Sequence, residues 1–64
     1  MSRDRLATLA SGRALTGRTP DDCDVRAFWA PAISAWVLET ADGREHYPSP
    51  AALLAAFERL TSAP

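Results

Sequence analysis

Lysine is absent from this 64-residue chain, and cysteine and histidine occur once each. A lone Cys23 closes no internal disulfide and supplies no thiol pair for half of a zinc ribbon, which favours a reducing compartment. No apolar run reaches the about 18 residues of a membrane span, and Met1-Ser2-Arg3-Asp4-Arg5 lacks the apolar stretch of a signal peptide. The expectation is a cytoplasmic protein with no membrane segment. Paired acid and base groups and metal-ligand spacings are also missing, so no enzymatic turnover, cofactor or metal is expected.

Large apolar side chains are scarce as well. The hydrophobic share is 47%, but much of it is alanine, as at Ala51, Ala52, Ala55 and Ala56, which buries little surface per residue. A chain this short buries only about 60% of the surface its unfolded form exposes, so one small domain of marginal stability, or one helped by a partner surface, is expected.

What is present is charge, unevenly placed around a net of −1. Residues 1–18 set Arg3, Arg5, Arg13 and Arg18 against Asp4, a net of +3. Residues 19–64 set Arg26, Arg44 and Arg59 against Asp21, Asp22, Asp24, Glu39, Asp42, Glu45 and Glu58, a net of −4. Such a dipolar chain steers toward charged partners without the basic excess of a typical nucleic-acid binder.

The local signals predict an α+β domain of order α-α-β-β-α, with a β-hairpin packed against helices. Ser2 caps a helix over 3–11, whose stripe is Leu6, Leu9 and Ala10 and whose left-handed stop is Gly12. Residues 13–18 read equally as a loop or a short edge strand. Thr19-Pro20-Asp21-Asp22 joins a capping hydroxyl, a first-turn proline and two carboxylates, so a helix is expected from 20 to 29 or 30, with Val25, Phe28 and Trp29 inward and Pro31 as its end. Residues 33–40 are β-branched and aromatic, and Asp42-Gly43 is the pair favoured in a two-residue type I′ turn, returning as a strand over 44–47. That turn would set Glu39 opposite His46 and Leu38 opposite Tyr47. Ser49 and Pro50 then start a helix over 50–61, with Leu53, Phe57 and Leu60 packed onto Trp36, Leu38 and Tyr47. The first two helices would cover Ile33, Ala35 and Val37.

Few residues carry chemistry. Cys23 lies between Asp22 and Asp24, whose carboxylates oppose any thiolate-favouring helix dipole, so a packing or surface role is expected. His46 opposite Glu39 reads as a cross-strand pair without a nucleophile. Trp29, Trp36 and Tyr47 are interface anchors or core, with Trp29 the best placed for exposure. Arg3, Arg5, Arg13 and Arg18 offer rigid donor forks for phosphates or carboxylates.

Two resemblances bear on function. Residues 35–47, AWVLETADGREHY, followed by PSPAALLAAF over 48–57, resemble the hairpin-then-helix of arm-type DNA-binding domains in tyrosine recombinases. In those modules a three-stranded sheet enters the major groove with a helix behind it; on a DNA-binding reading the nucleic-acid contacts expected here are Arg3, Arg5, Arg13 and Arg18, whose donor forks suit phosphates. In size, solitary domain, and arginine and alanine bias, which point to a GC-rich bacterial or phage coding source, the chain also resembles small phage-encoded inhibitors of the anti-CRISPR type. That resemblance implies a non-catalytic protein that binds a host protein or nucleoprotein complex. A partner that normally holds nucleic acid presents basic grooves, so the expected contact surface is Asp21, Asp22, Asp24, Glu39, Asp42 and Glu45, with Trp29 as a nearby anchor.

Overall fold

Ser49 accepts a hydrogen bond from the Ala52 amide at 3.2 Å, and Pro50 follows in the first helical position. This start yields the helix over Pro50–Thr61 that the sequence predicts. At the other end of the chain, a helix over Arg3–Ala10 stops where Gly12 takes φ +93°. The Arg13 amide donates to the Thr8 carbonyl and the Gly12 amide to that of Leu9, the paired bonds of a Schellman end. The computed structural model describes residues 3–62, and the proposed Ser2 cap lies outside them.

Between the helices run four strands, so the chain reads α1 (Arg3–Ala10), β1 (Leu15–Arg18), β2 (Asp24–Ala30), β3 (Ala35–Thr40), β4 (Gly43–Tyr47) and α2 (Pro50–Thr61). They form one antiparallel sheet in the order β1-β2-β3-β4. The chain is thus an α+β domain with a hairpin packed against helices, and residues 15–18 take the strand alternative.

The helix expected after Thr19 is absent; its residues form a turn and β2. Thr19-Pro20-Asp21-Asp22 is also a turn signature, with proline favoured at its second position. The Asp22 amide donates to the Thr19 carbonyl at 2.9 Å, and Asp22 then takes φ +65°, so the chain reverses instead of winding up. Val25 and Ala27 alternate inward, a period of two that pairing with β1 and β3 on both sides makes the better solution.

The second hairpin is displaced by one residue along each strand. Thr40 pairs with Gly43, Glu39 with Arg44, Leu38 with Glu45, Val37 with His46 and Trp36 with Tyr47. Neither Ala41 nor Asp42 has positive φ; that conformation falls on Gly43 at φ +135°, which excludes a type I′ turn. The Thr40 hydroxyl accepts from the Asp42 amide at 3.2 Å and anchors the turn there. Because each strand shifts by one, Trp36, Leu38 and Tyr47 stay together on one face and Val37, Glu39 and His46 on the other.

Both helices pack on a single face. Leu53, Leu54, Ala56 and Phe57 of α2 and Leu9 of α1 close over Val25, Ala27 and Leu38, with Leu6, Leu15, Trp36 and Tyr47 at the margin. Gly17 lets β1 lie under α2, since a Cβ there would stand 3.0 Å from the Phe57 ring and 3.1 Å from the Thr61 methyl. Three packing expectations change. Leu60 is 38% exposed at the helix margin, Ile33 is 54% exposed in the β2–β3 loop, and Val37 belongs to the face that no described helix covers. Strand β3 accordingly starts at Ala35, after a turn in which Ser34 takes φ +50°.

Gly17→Val should lower stability by about 1 to 3 kcal/mol by overpacking against Phe57. Gly43→Val should cost a similar amount, about 1 to 3 kcal/mol, through backbone strain alone, because nothing lies within 4 Å of a Cβ at that position. Urea melts of the two variants check both values, and an unchanged midpoint for Gly43→Val would contradict the strained turn.

Candidate functional site

The β1–β2 and β3–β4 turns lie at the same end of the sheet because three reversals separate four antiparallel strands. This turn end collects Asp21, Asp22, Asp24, Glu39, Asp42 and Glu45, the six carboxylates singled out in the sequence. The β3–β4 hairpin tip supplies Glu39, Asp42 and Glu45 as expected, whereas Asp21, Asp22 and Asp24 come from a turn and the start of β2 instead of from a helix start.

Arginines neutralise half of them. Arg18 holds Asp22 at 2.8 Å and Asp24 at 3.3 Å. Glu39 lies between Arg26 at 3.3 Å and Arg44 at 2.8 Å. Asp21, Asp42 and Glu45 stand outside arginine ion pairs among the described residues. All three border an open cleft of about 720 Å³ between the two turns and the end of α2. Its wall includes Arg59, Leu60 and Cys23, so acidic groups rim a partly apolar hollow.

Glu45 accepts a 2.9 Å hydrogen bond from the Tyr47 hydroxyl. That bond raises the Tyr47 pKa above its ordinary 10.0, burial and the Glu45 charge act in the same direction, and Arg59 opposes them. The pair fixes the Glu45 carboxylate at the cleft edge.

The opposite face of the sheet carries a different set. Arg26, Glu39 and Arg44 form one cross-strand row, and Phe28, Val37 and His46 form the next. The Arg26 guanidinium lies 5.1 Å from the Phe28 ring centre. Val37 is only 1% exposed although no described helix lies over it.

Other expected site residues are dispersed. Trp29 is not beside the acidic groups; it pairs with Trp36, ring centres 4.9 Å apart, toward the other end of the sheet. Trp36 and Tyr47 pack against the core, and all three aromatics are half-buried. The arginines of the first third form no single patch. Arg5 reaches Glu58 at 3.5 Å and the Phe57 ring, Arg18 serves the first turn, and Arg3 and Arg13 are exposed. His46 faces Val37 and not Glu39, so the expected cross-strand pair does not form. Cys23 is exposed, and no cluster of three or more histidine, cysteine, aspartate or glutamate side chains among the described residues is arranged to hold a metal. No described helix is long and apolar enough to cross a membrane.

Phe28, Arg26, Arg44 and Arg59 were not singled out from the sequence. Their signal is alternation, with Arg26 and Phe28 two apart on one strand face, and it becomes visible only once residues 24–30 are read with period two. Comparison with protein-family models, curated proteins and solved structures finds no match.

The Tyr47 shift has a defined alkaline signature. A proton held more tightly in the folded state stabilises below the unfolded pKa, and that stabilisation falls as pH rises from 10.0 through the raised folded value. Glu45→Gln should bring the phenolate absorbance midpoint down toward 10.0, and Tyr47→Phe should flatten this part of the stability profile. A Tyr47 midpoint that Glu45→Gln leaves unmoved would rule out the hydrogen bond as its cause.

Proposed function

We propose that this chain is a non-catalytic protein-binding module, an inhibitor of the kind encoded by phages, that blocks a host nucleoprotein complex with its acidic turn end. One observation carries the reading. Segments far apart in sequence converge so that Asp21, Asp42 and Glu45, outside the arginine ion pairs, rim the same cleft. Carboxylates around a partly apolar hollow suit the basic side chains of a protein surface that normally holds phosphates, and such complementarity speeds encounter and sets orientation.

A second reading, a small DNA-binding module, gains from the third strand. β2, β3 and β4 form an antiparallel sheet with α2 behind it, the arrangement implied by the resemblance to arm-type domains. Against it, the sheet-face arginines Arg18, Arg26 and Arg44 are each engaged by a carboxylate, so little positive charge is left for phosphates.

Charge reversal separates the two readings. With a partner recovered from bacterial lysate, Asp42→Arg with Glu45→Arg should weaken binding by about tenfold or more, whereas Arg13→Glu with Arg3→Glu should change it little. The opposite ranking would reject the acidic surface. Affinity for generic duplex DNA that drops steeply with added salt would instead support the DNA-binding reading.

A further inference from the structure

We propose that the cleft is one half of a groove that takes an extended segment of a partner protein, with an arginine side chain between the two turns and an aliphatic side chain at the seam of α2 and β4. Resting on the acidic turn end as the contact surface, this assignment adds the kind of segment that surface accepts.

A second hollow, of about 280 Å³, adjoins the cleft. The two share Glu45, Arg59 and Leu60, so they form one groove that leads from the turns along α2 to Tyr47. Their linings differ. The cleft is bordered by Asp21, Asp42 and Glu45, whereas the wall of the second hollow includes Leu38 and Ala56, both buried in the core. Leu60 stands where the two meet, and it is one of two large apolar side chains left exposed among the described residues. Because β4 is an edge strand, no further strand closes the seam among the described residues, and an extended chain can enter it along its length.

The charges select the occupant. Asp21, Asp42 and Glu45 favour a cation at the turn end. The planar fork of arginine suits carboxylates that come from different turns, and its stem can lie along Leu60, whereas the ammonium of lysine is a compact and strongly hydrated point charge. Arg59 sets a limit on the α2 side. It is exposed, it lines both hollows, and its charge is felt at Tyr47. A second cation beside it would be repelled, so a basic run fits worse than one arginine with an aliphatic neighbour. Side chains two apart in an extended segment project to the same side, which places one residue between the arginine and the aliphatic residue.

Chemical-shift titration of the intact chain with two end-blocked pentapeptides, Ala-Arg-Ala-Leu-Ala and its reverse, tests the assignment. At least one should bind and move the amide signals of Asp21, Asp42 and Leu60. Replacing its arginine by glutamate or its leucine by serine should each weaken binding by about tenfold or more, a peptide series that leaves the protein itself unaltered. Among protein variants that keep the wild-type circular dichroism, Asp42→Arg with Glu45→Arg should weaken the same peptide, as should Leu60→Ser. Arg59→Ala should improve binding of end-blocked tetra-arginine more than that of the pentapeptide. Absence of binding by both peptides at millimolar concentration overturns the proposal, as does binding that persists unchanged without the leucine. A lysate partner that requires Asp42 and Glu45, found while neither peptide binds, overturns it and leaves the inhibitor reading in place. Peptide binding without any such partner supports the groove and rejects the inhibitor reading.

Discussion

The packing of α2 on one face of the sheet governs the rest of the molecule. Leu53, Leu54, Ala56 and Phe57 supply most of the helical side of the core, and Leu9 of α1 joins them over Val25, Ala27 and Leu38. The chain has apolar side chains for one such layer and not for two. Once both helices are committed to that face, the other must be finished with what the strands themselves provide. Gly17 is where this constraint reaches the backbone, because the close approach of Phe57 and Thr61 crowds a Cβ at that position of β1.

The bare face is finished by long side chains and charge pairing. Arg26 lies along Phe28 and reaches Glu39, which also receives Arg44, so one carboxylate organises two guanidiniums across three strands. Exposed pairs of this kind contribute little individually, about 0 to 1 kcal/mol. Their larger effect is on the charge pattern. They consume the carboxylates nearest the sheet face and leave Asp21, Asp42 and Glu45 as the acidic groups that meet solvent at the cleft.

What could be read from the sequence was whatever local chemistry decides. The Ser49-Pro50 start, the Gly12 stop and the shared face of Trp36, Leu38 and Tyr47 depend on caps, φ and alternation, and each is found in the fold. Residues 19–30 were misread because Thr-Pro-Asp-Asp satisfies both a helix start and a turn, and Val25, Phe28 and Trp29 also fit a helical stripe. Only the strands on either side of β2 decide between them, and those are distant partners. The hairpin register failed for a similar reason. Asp42-Gly43 is a strong turn signal, but the Thr40 hydroxyl and the pairing of Glu39 with Arg44 favour a turn centred one residue earlier. The convergence of the carboxylates was legible as composition, while the Glu39–His46 pairing and the place of Trp29 depended on the wrong register and the wrong helix.

The two surfaces differ in how the fold holds them. The bare face lies on regular strands, where cross-strand spacing fixes its side chains and leaves little freedom to adapt. The cleft is built from two turns and a helix end, with Glu45 fixed by Tyr47 and Asp21 and Asp42 carried on turn backbone. Such a rim can adjust to a foreign surface.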